Sequence, residues 1–186
     1  MDASPNGSAL PEPALSQASR PERSQDPTPE AGASPWPLSR ALLQLILEDR
    51  TTDRFVCERV WERLGYRPGV DASGAWLAGD GTPPSWATAY PQAPPLVAER
   101  PASVALTRSI PAPFKQLLKE QLGFSGYRIG ELYPRRTRRA TAVSWLLAWL
   151  AEAGLDLPTL GPLPEPLAPP VDPVLGHPDD RLPSPL

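Results

Sequence analysis

The chain has 186 residues, of which 28 are proline, one is cysteine and one is histidine, and its net charge is −3. That length suits one domain with extensions, and a single cysteine excludes an intrachain disulfide, so a reducing compartment is expected. The prolines are uneven: 8 lie up to Pro37, 10 between Pro68 and Pro134, and 10 from Pro158 onward. The charge is uneven too. Residues 1–34 carry −3, residues 155–186 carry −4, and residues 95–140 carry +6. Two acidic, proline-rich ends without apolar periodicity are expected to be disordered tails, 1–35 and 155–186, around a helical domain over 36–154. The basic half-domain between them points to an anionic partner.

Segments for export or membrane insertion are not evident. The N-terminus lacks an apolar signal core, and its five acids argue against a transit peptide. The longest apolar run, from Ala140 to Ala151, is too short to span a bilayer. A cytoplasmic protein is expected, with any membrane contact peripheral and through anionic lipid.

In chain order, Pro37 opens a first helix whose stripe is Leu38, Ala41, Leu42, Leu45 and Ile46, ending near Asp49. Thr51 or Thr52 caps a second helix, with Asp53 in its first turn. Val56, Val60 and Leu64 form its apolar line, Cys57 and Trp61 lie beside that line, and Gly65 is the expected stop. Residues 67–81 read as a loop. Thr82 and Pro83 introduce a short helix carrying Trp86 and Tyr90. The alternation of Val104, Leu106 and Arg108 within 103–110 reads as a weak strand or an extended linker. Residues 113–122 form an amphipathic helix with Phe114, Leu117, Leu118 and Leu122 inward, ended by Gly123. Pro134 opens the last helix, which runs to Ala153.

That last helix is apolar nearly all round. Val143, Leu147 and Leu150 form a core line, while Thr137, Thr141, Ser144, Ala148 and Ala151 form a stripe of small residues. Trp145 and Trp149 make a third line, read as core in preference to stacking platforms. The expected class is mainly α: a small orthogonal domain of about five helices, with room for one short strand pair.

Three blocks carry a resemblance. They are residues 55–66, reading FVCERVWERLGY; residues 100–111, reading RPASVALTRSIP; and residues 115–123 with 130–142, reading KQLLKEQLG and GELYPRRTRRATA. Together they resemble domain of unknown function family 1823, a family of cyanobacteria and of plastid-bearing plants and algae. The resemblance covers roughly Leu38 to Leu150. It implies a photosynthetic organism and a cytosolic or stromal setting, and it transfers no functional residues.

The sharpest chemical feature is the run Arg135, Arg136, Thr137, Arg138, Arg139. It lies in the first turns of a helix, where the macrodipole is already positive and each added cation costs ~0.3–1 kcal/mol. Like-charge i,i+3 pairs add to that cost. The run is therefore expected to bind an anion, with Arg108, Lys115, Lys119 and Arg128 as further contacts. The competing reading is a solvated basic face paired with Glu131, Glu120 or the acidic tails. The favoured partner is an acidic protein surface, with RNA second and an anionic membrane surface third. A helix-turn-helix over 115–139 is a poor match, because its connector exceeds the usual three or four residues.

Catalytic and metal chemistry find little support. His177, the one histidine, lies in the distal tail, so no Ser/His/Asp set forms within the domain. Glu58 and Glu62 are flanked by Arg54, Arg59 and Arg63 and read as a solvated, salt-bridged face. Cys57 reads as a buried, inert thiol. No catalytic residues, metal ligands or cofactor are expected, and the reading is a non-enzymatic accessory protein of assembly type.

Overall fold

The backbone of this computed structural model begins its first helix, α1 (Arg40–Leu47), three residues after Pro37. Residues 34–70 and 73–180 are described. Among them the fold is mainly helical, with six helices and one two-stranded antiparallel sheet. Ser39, not Pro37, starts α1: its hydroxyl accepts from the Leu42 N–H. The helix buries Leu42, Leu43, Leu45, Ile46 and Leu47.

Asp49 turns the chain with φ +61° and is fully buried. Short polar side chains tolerate this left-handed conformation better than others do. Thr52 then caps α2 (Asp53–Arg63) by accepting from the Phe55 N–H. Gly65, at φ +83°, ends it. A Cβ there would collide with the Gly81 carbonyl, so glycine alone fits where the loop closes on the helix end.

The region expected as a loop contains the strand pair. β1 (Tyr66–Pro68) and β2 (Trp76–Ala78) pair antiparallel, with Arg67 opposite Leu77. Buried Tyr66 donates its hydroxyl to the Tyr90 carbonyl at 2.8 Å, tying the pair to the end of α3 (Pro84–Ala89).

Residues 103–110 correct the expectation of a strand or linker, because they lie in α4 (Arg100–Ser109). The buried positions Ala102, Ser103, Leu106 and Ile110 recur at helical spacing, and Pro101 needs no donor in the first turn. Packing against the last helix overrides the local alternation. The helix expected over 113–122 is a 3-10 turn at Ala112–Phe114 followed by α5 (Leu117–Leu122), which Gly123 closes at φ +65°.

The last helix, α6 (Pro134–Glu152), is the centre of the core and packs against α1, α2, α4 and α5. Val143, Leu146 and Leu147 are buried. Trp145 is buried and its indole donates to Ser109 Oγ, as the core reading requires. Trp149 is half-buried beneath the Arg63 guanidinium. In the small stripe Ala148 is buried, Thr141, Ser144 and Ala151 are half-buried, and Thr137 is exposed.

The domain does not stop at Gly154, which corrects the expected boundary for residues 155–180. This segment runs across the starts of α1 and α2 as an irregular strap. The Pro158 and Thr159 carbonyls accept from the Arg40 and Ala41 N–H groups, which a helix start leaves without internal partners. The Leu167 N–H donates to the Arg50 carbonyl, and Arg50 Nε donates back to the Leu167 carbonyl. The Trp36 indole donates to the Pro162 carbonyl. The expected N-terminal tail over 1–33 and the last six residues lie outside the described residues.

Candidate functional site

The arginine run sits where the turn between α1 and α2, the start of α6 and the end of the strap converge. Arg135 bonds Asp53 at 2.5 Å and Asp49 at 2.6 Å, and lies 3.4 Å from Asp180. Arg139 is fully buried; it bonds Asp53 at 2.5 Å, the Thr51 hydroxyl at 2.8 Å and the Ile46 carbonyl at 3.1 Å. Arg136 lies 3.6 Å from Asp49 and 3.9 Å from Glu131, with its guanidinium over the Tyr127 ring. Arg138 donates to the Val97 and Ala98 carbonyls.

Arg135 and Arg139 therefore do not face a partner, and their assignment to an anion-binding surface is corrected. Their anions are internal: the carboxylates of Asp49, Asp53 and Asp180 balance the guanidiniums of Arg135, Arg136 and Arg139. The geometry also resolves the dipole conflict. Cations that oppose the positive start of α6 lie against the carbonyl end of α1, where cations are favourable. Arg139 donates to Ile46 there, and the Tyr127 hydroxyl donates to the Leu47 carbonyl.

Electrostatics follow the burial. The arginines beside Asp49 hold its carboxyl below the usual carboxylate value, against the desolvation that burial imposes. Asp180 is pushed the other way, by burial and by the neighbouring Asp53 carboxylate. Burial pushes the Tyr127 phenol up to about 12. Two buried atoms in the cluster make no hydrogen bond: Arg136 Nε, 3.6 Å from Asp49 Oδ2, and Asp49 Oδ1, 3.5 Å from Arg139 Nε and 3.6 Å from His177 Nε2. His177 is the residue that sequence reasoning placed out of reach. It is buried, with Nε2 3.0 Å from the Asp49 carbonyl oxygen. Nothing in the local sequence signals a contact across 128 positions.

A second cluster lies along α2. Glu62 bonds Arg59 at 2.7 Å and Arg63 at 3.1 Å, and accepts from the Trp36 N–H. Burial pushes its carboxyl above the usual value. Arg59 lies over Phe55 and Trp36, and Arg63 donates to the Trp36 carbonyl. This face is salt-bridged as expected, but it is largely buried and serves to seat Trp36. Cys57 is buried, and desolvation raises its thiol to about 12. Among the described residues no group of three or more His, Cys, Asp or Glu is placed to hold a metal ion.

The remaining predicted contacts are exposed. Arg108 lies at the end of α4, Lys115 at the end of the 3-10 turn before α5, Lys119 within α5, and Arg128 in the connector that follows. None of the four is within ion-pair distance of a carboxylate among the described residues, and neither is Arg100. Arg100 and Arg108 flank a shallow groove floored by Val104 and Ala105. A neighbouring groove adds Leu132, Thr137, Thr141 and Arg138. The structure brings Arg100, Arg108 and Arg138 to one continuous surface; Lys115, Lys119 and Arg128 do not line it. Ile129 and Leu132, in the connector before α6, are exposed. No helix among the described residues is long and apolar enough to cross a membrane.

None of the curated proteins matches this chain. A solved structure, described as a solution NMR structure, is similar at 48% sequence identity and a TM-score of 0.52, covering 61% of this chain and 93% of that one. The pattern of the family described as Domain of unknown function (DUF1823) matches residues 37–151, which span the six helices to within one residue of the end of α6 and hold the arginines of both charged clusters but neither His177 nor Asp180, and the chain belongs to that family.

Proposed function

We propose that the protein is a non-enzymatic accessory module of assembly type that docks an acidic protein surface through the exposed cations of α4, α5 and the following connector. The docking residues are Arg100, Arg108, Lys115, Lys119 and Arg128, with Arg138 at the groove edge. The observation that carries this reading is that these cations stand exposed with no carboxylate within ion-pair distance among the described residues, Arg138 alone being half-buried. Arg135, Arg136 and Arg139 at the start of α6 form ion pairs with acids from elsewhere in the chain, whereas these form none among the described residues. Unpaired cations beside exposed apolar side chains such as Ile129 and Leu132 suit a protein interface, in which a charged rim surrounds an apolar centre. RNA is disfavoured because Phe114, Phe124, Tyr127 and Tyr133, the aromatics close to these cations in sequence, are half-buried and offer poor stacking platforms. The setting we infer, from the family resemblance, is the cytosol or stroma of a photosynthetic cell.

The test is capture from native lysate at low salt by the full chain and by the variant Arg108→Gln, Lys115→Gln, Lys119→Gln, Arg128→Gln. The expected result is specific retention of an acidic protein by the unaltered chain. That retention should weaken steeply with salt and be lost in the variant while both melt alike. Equal retention by the variant would refute the docking face. Release of the captured material by nuclease would transfer the reading to RNA.

A further inference from the structure

We infer that the family domain carries a recess that recognises a short acidic peptide turn, and that residues 176–180 of the strap fill it as a ligand bound in cis. The inference is independent of the docking face proposed above. The recess has two halves of opposite need. One half is the start of α2 with Arg135: the N–H groups of Asp53 and Arg54 point out of the first turn, and Arg135 Nη2 lies beside them. The Asp180 carboxylate fills this half, accepting from the Asp53 N–H at 2.5 Å and lying 3.4 Å from Arg135. The other half is Asp49, whose Oδ1 is buried without a hydrogen bond and whose carbonyl faces the same space. The His177 ring fills this half, with Nε2 facing both oxygens.

Spacing makes the pair a motif. His177 and Asp180 are three residues apart in a 3-10 turn, and Asp180 accepts from the His177 N–H, so the turn arrives preformed. Gly176 precedes it at φ +79°, buried, where a Cβ would stand 2.5 Å from Arg135 Nε. The recess thus selects Gly-His-x-x-Asp and admits no side chain at the first position.

The occupant is not part of the core. The family match ends at residue 151, so every group that forms the recess belongs to the family domain and the turn does not. Leu157 at the beginning of the strap packs against the core, but the end of the strap leaves its apolar side chains in solvent: Val171, Val174 and Leu175 are all exposed just before the turn. A segment held by its polar end and not by its leucines has the character of a bound peptide.

The experiment uses the full chain with a protease site replacing residues 168–171, cleaved after folding. A labelled synthetic peptide of residues 171–186 is then offered to the nicked protein. The expected result is that helical circular dichroism survives cleavage and that the labelled peptide exchanges in saturably. Peptides carrying Asp180→Ala or Gly176→Ala should compete at least about tenfold less well. A Leu175→Ser peptide should compete as well as the unaltered one, because that side chain touches solvent. Loss of helix on cleavage would show the segment to be integral to the core and would overturn the inference. Absence of saturable binding, or equal competition by all the peptides, would overturn it as well.

Discussion

The cations at the start of α6 and those along α4 and α5 belong to one basic stretch of sequence and meet opposite fates. Arg135 and Arg139 lie in the interior, each bonded to carboxylates more than 80 positions away in the chain. Arg108, Lys115, Lys119 and Arg128 stand in solvent. The lesson concerns what a charge run signifies. Of the four arginines that oppose the helix dipole, Arg135, Arg136 and Arg139 meet carboxylates supplied by the α1–α2 turn, the strap and Glu131, and Arg138 meets backbone carbonyls. The strain visible in the sequence was real, but it pointed inward. The cations with no local conflict are the ones left without partners.

The sharpest way to break this contrast is to remove one interior guanidinium. Arg139→Gln leaves Asp53 and Asp49 buried with one fewer cation and strips the Thr51 hydroxyl and the Ile46 carbonyl of a donor. Truncating one member of a buried ion pair costs ~3–5 kcal/mol, so chemical denaturation should show a loss of that order. This reverses the expectation for an external anion site, where neutralising the run would relieve repulsion and leave the protein as stable or more so. A neutral or stabilising outcome would restore that picture. Arg139→Lys should recover only part of the loss, since an ammonium cannot reproduce the planar fork.

A slightly smaller effect, with a pH signature, is expected at Asp49. Asparagine tolerates the left-handed backbone there, so Asp49→Asn removes charge without moving the turn. At neutral pH the variant should lose up to ~3 kcal/mol, because Arg135 and Arg136 lose their shared carboxylate. The sign of the pH dependence follows from the lowered folded-state value. Asp49 titrates below its ordinary 3.8 in the folded chain, so its contribution is complete above that value and vanishes as pH falls through the lower one. The gap between wild type and Asp49→Asn should therefore close on acidification below 3.8. A gap that persists unchanged in acid would show that the lost term is steric and not electrostatic.

The elements with strong periodicity and caps were legible in the sequence. Thr52 caps α2, Gly65 and Gly123 stop their helices, and Leu147 lies at the centre of the core. The α4 helix was misread because Val104, Leu106 and Arg108 alternate over too few residues to separate a strand from a helix. Only packing against α6 decides it. The strap was misread for a different reason. Its proline density and missing apolar periodicity describe a segment without the surface to fold alone. Its order comes from backbone groups that α1 and α2 leave open and from one polar turn, neither of which leaves a periodic trace. The internal partners of the arginines were invisible for the same reason: Asp49 and Asp53 look like an ordinary helix end and helix start.

The smallest expected effect sharpens the comparison from the exposed side. Lys119→Gln or Arg108→Gln removes a cation that touches no carboxylate among the described residues and buries little surface. Substitutions at such positions lie within ~0.5 kcal/mol of neutral. Salt should separate the two sets of charges further. Exposed cations interact over ~8 Å at physiological ionic strength and are screened beyond it, whereas buried pairs are screened much less. The stability difference between wild type and Arg139→Gln should therefore survive high salt almost unchanged, while any effect of Lys119→Gln fades. A clear loss of stability on Lys119→Gln at low salt, abolished by added salt, would mean that this residue has an anion within the chain after all. The docking face would then lose one of its free cations.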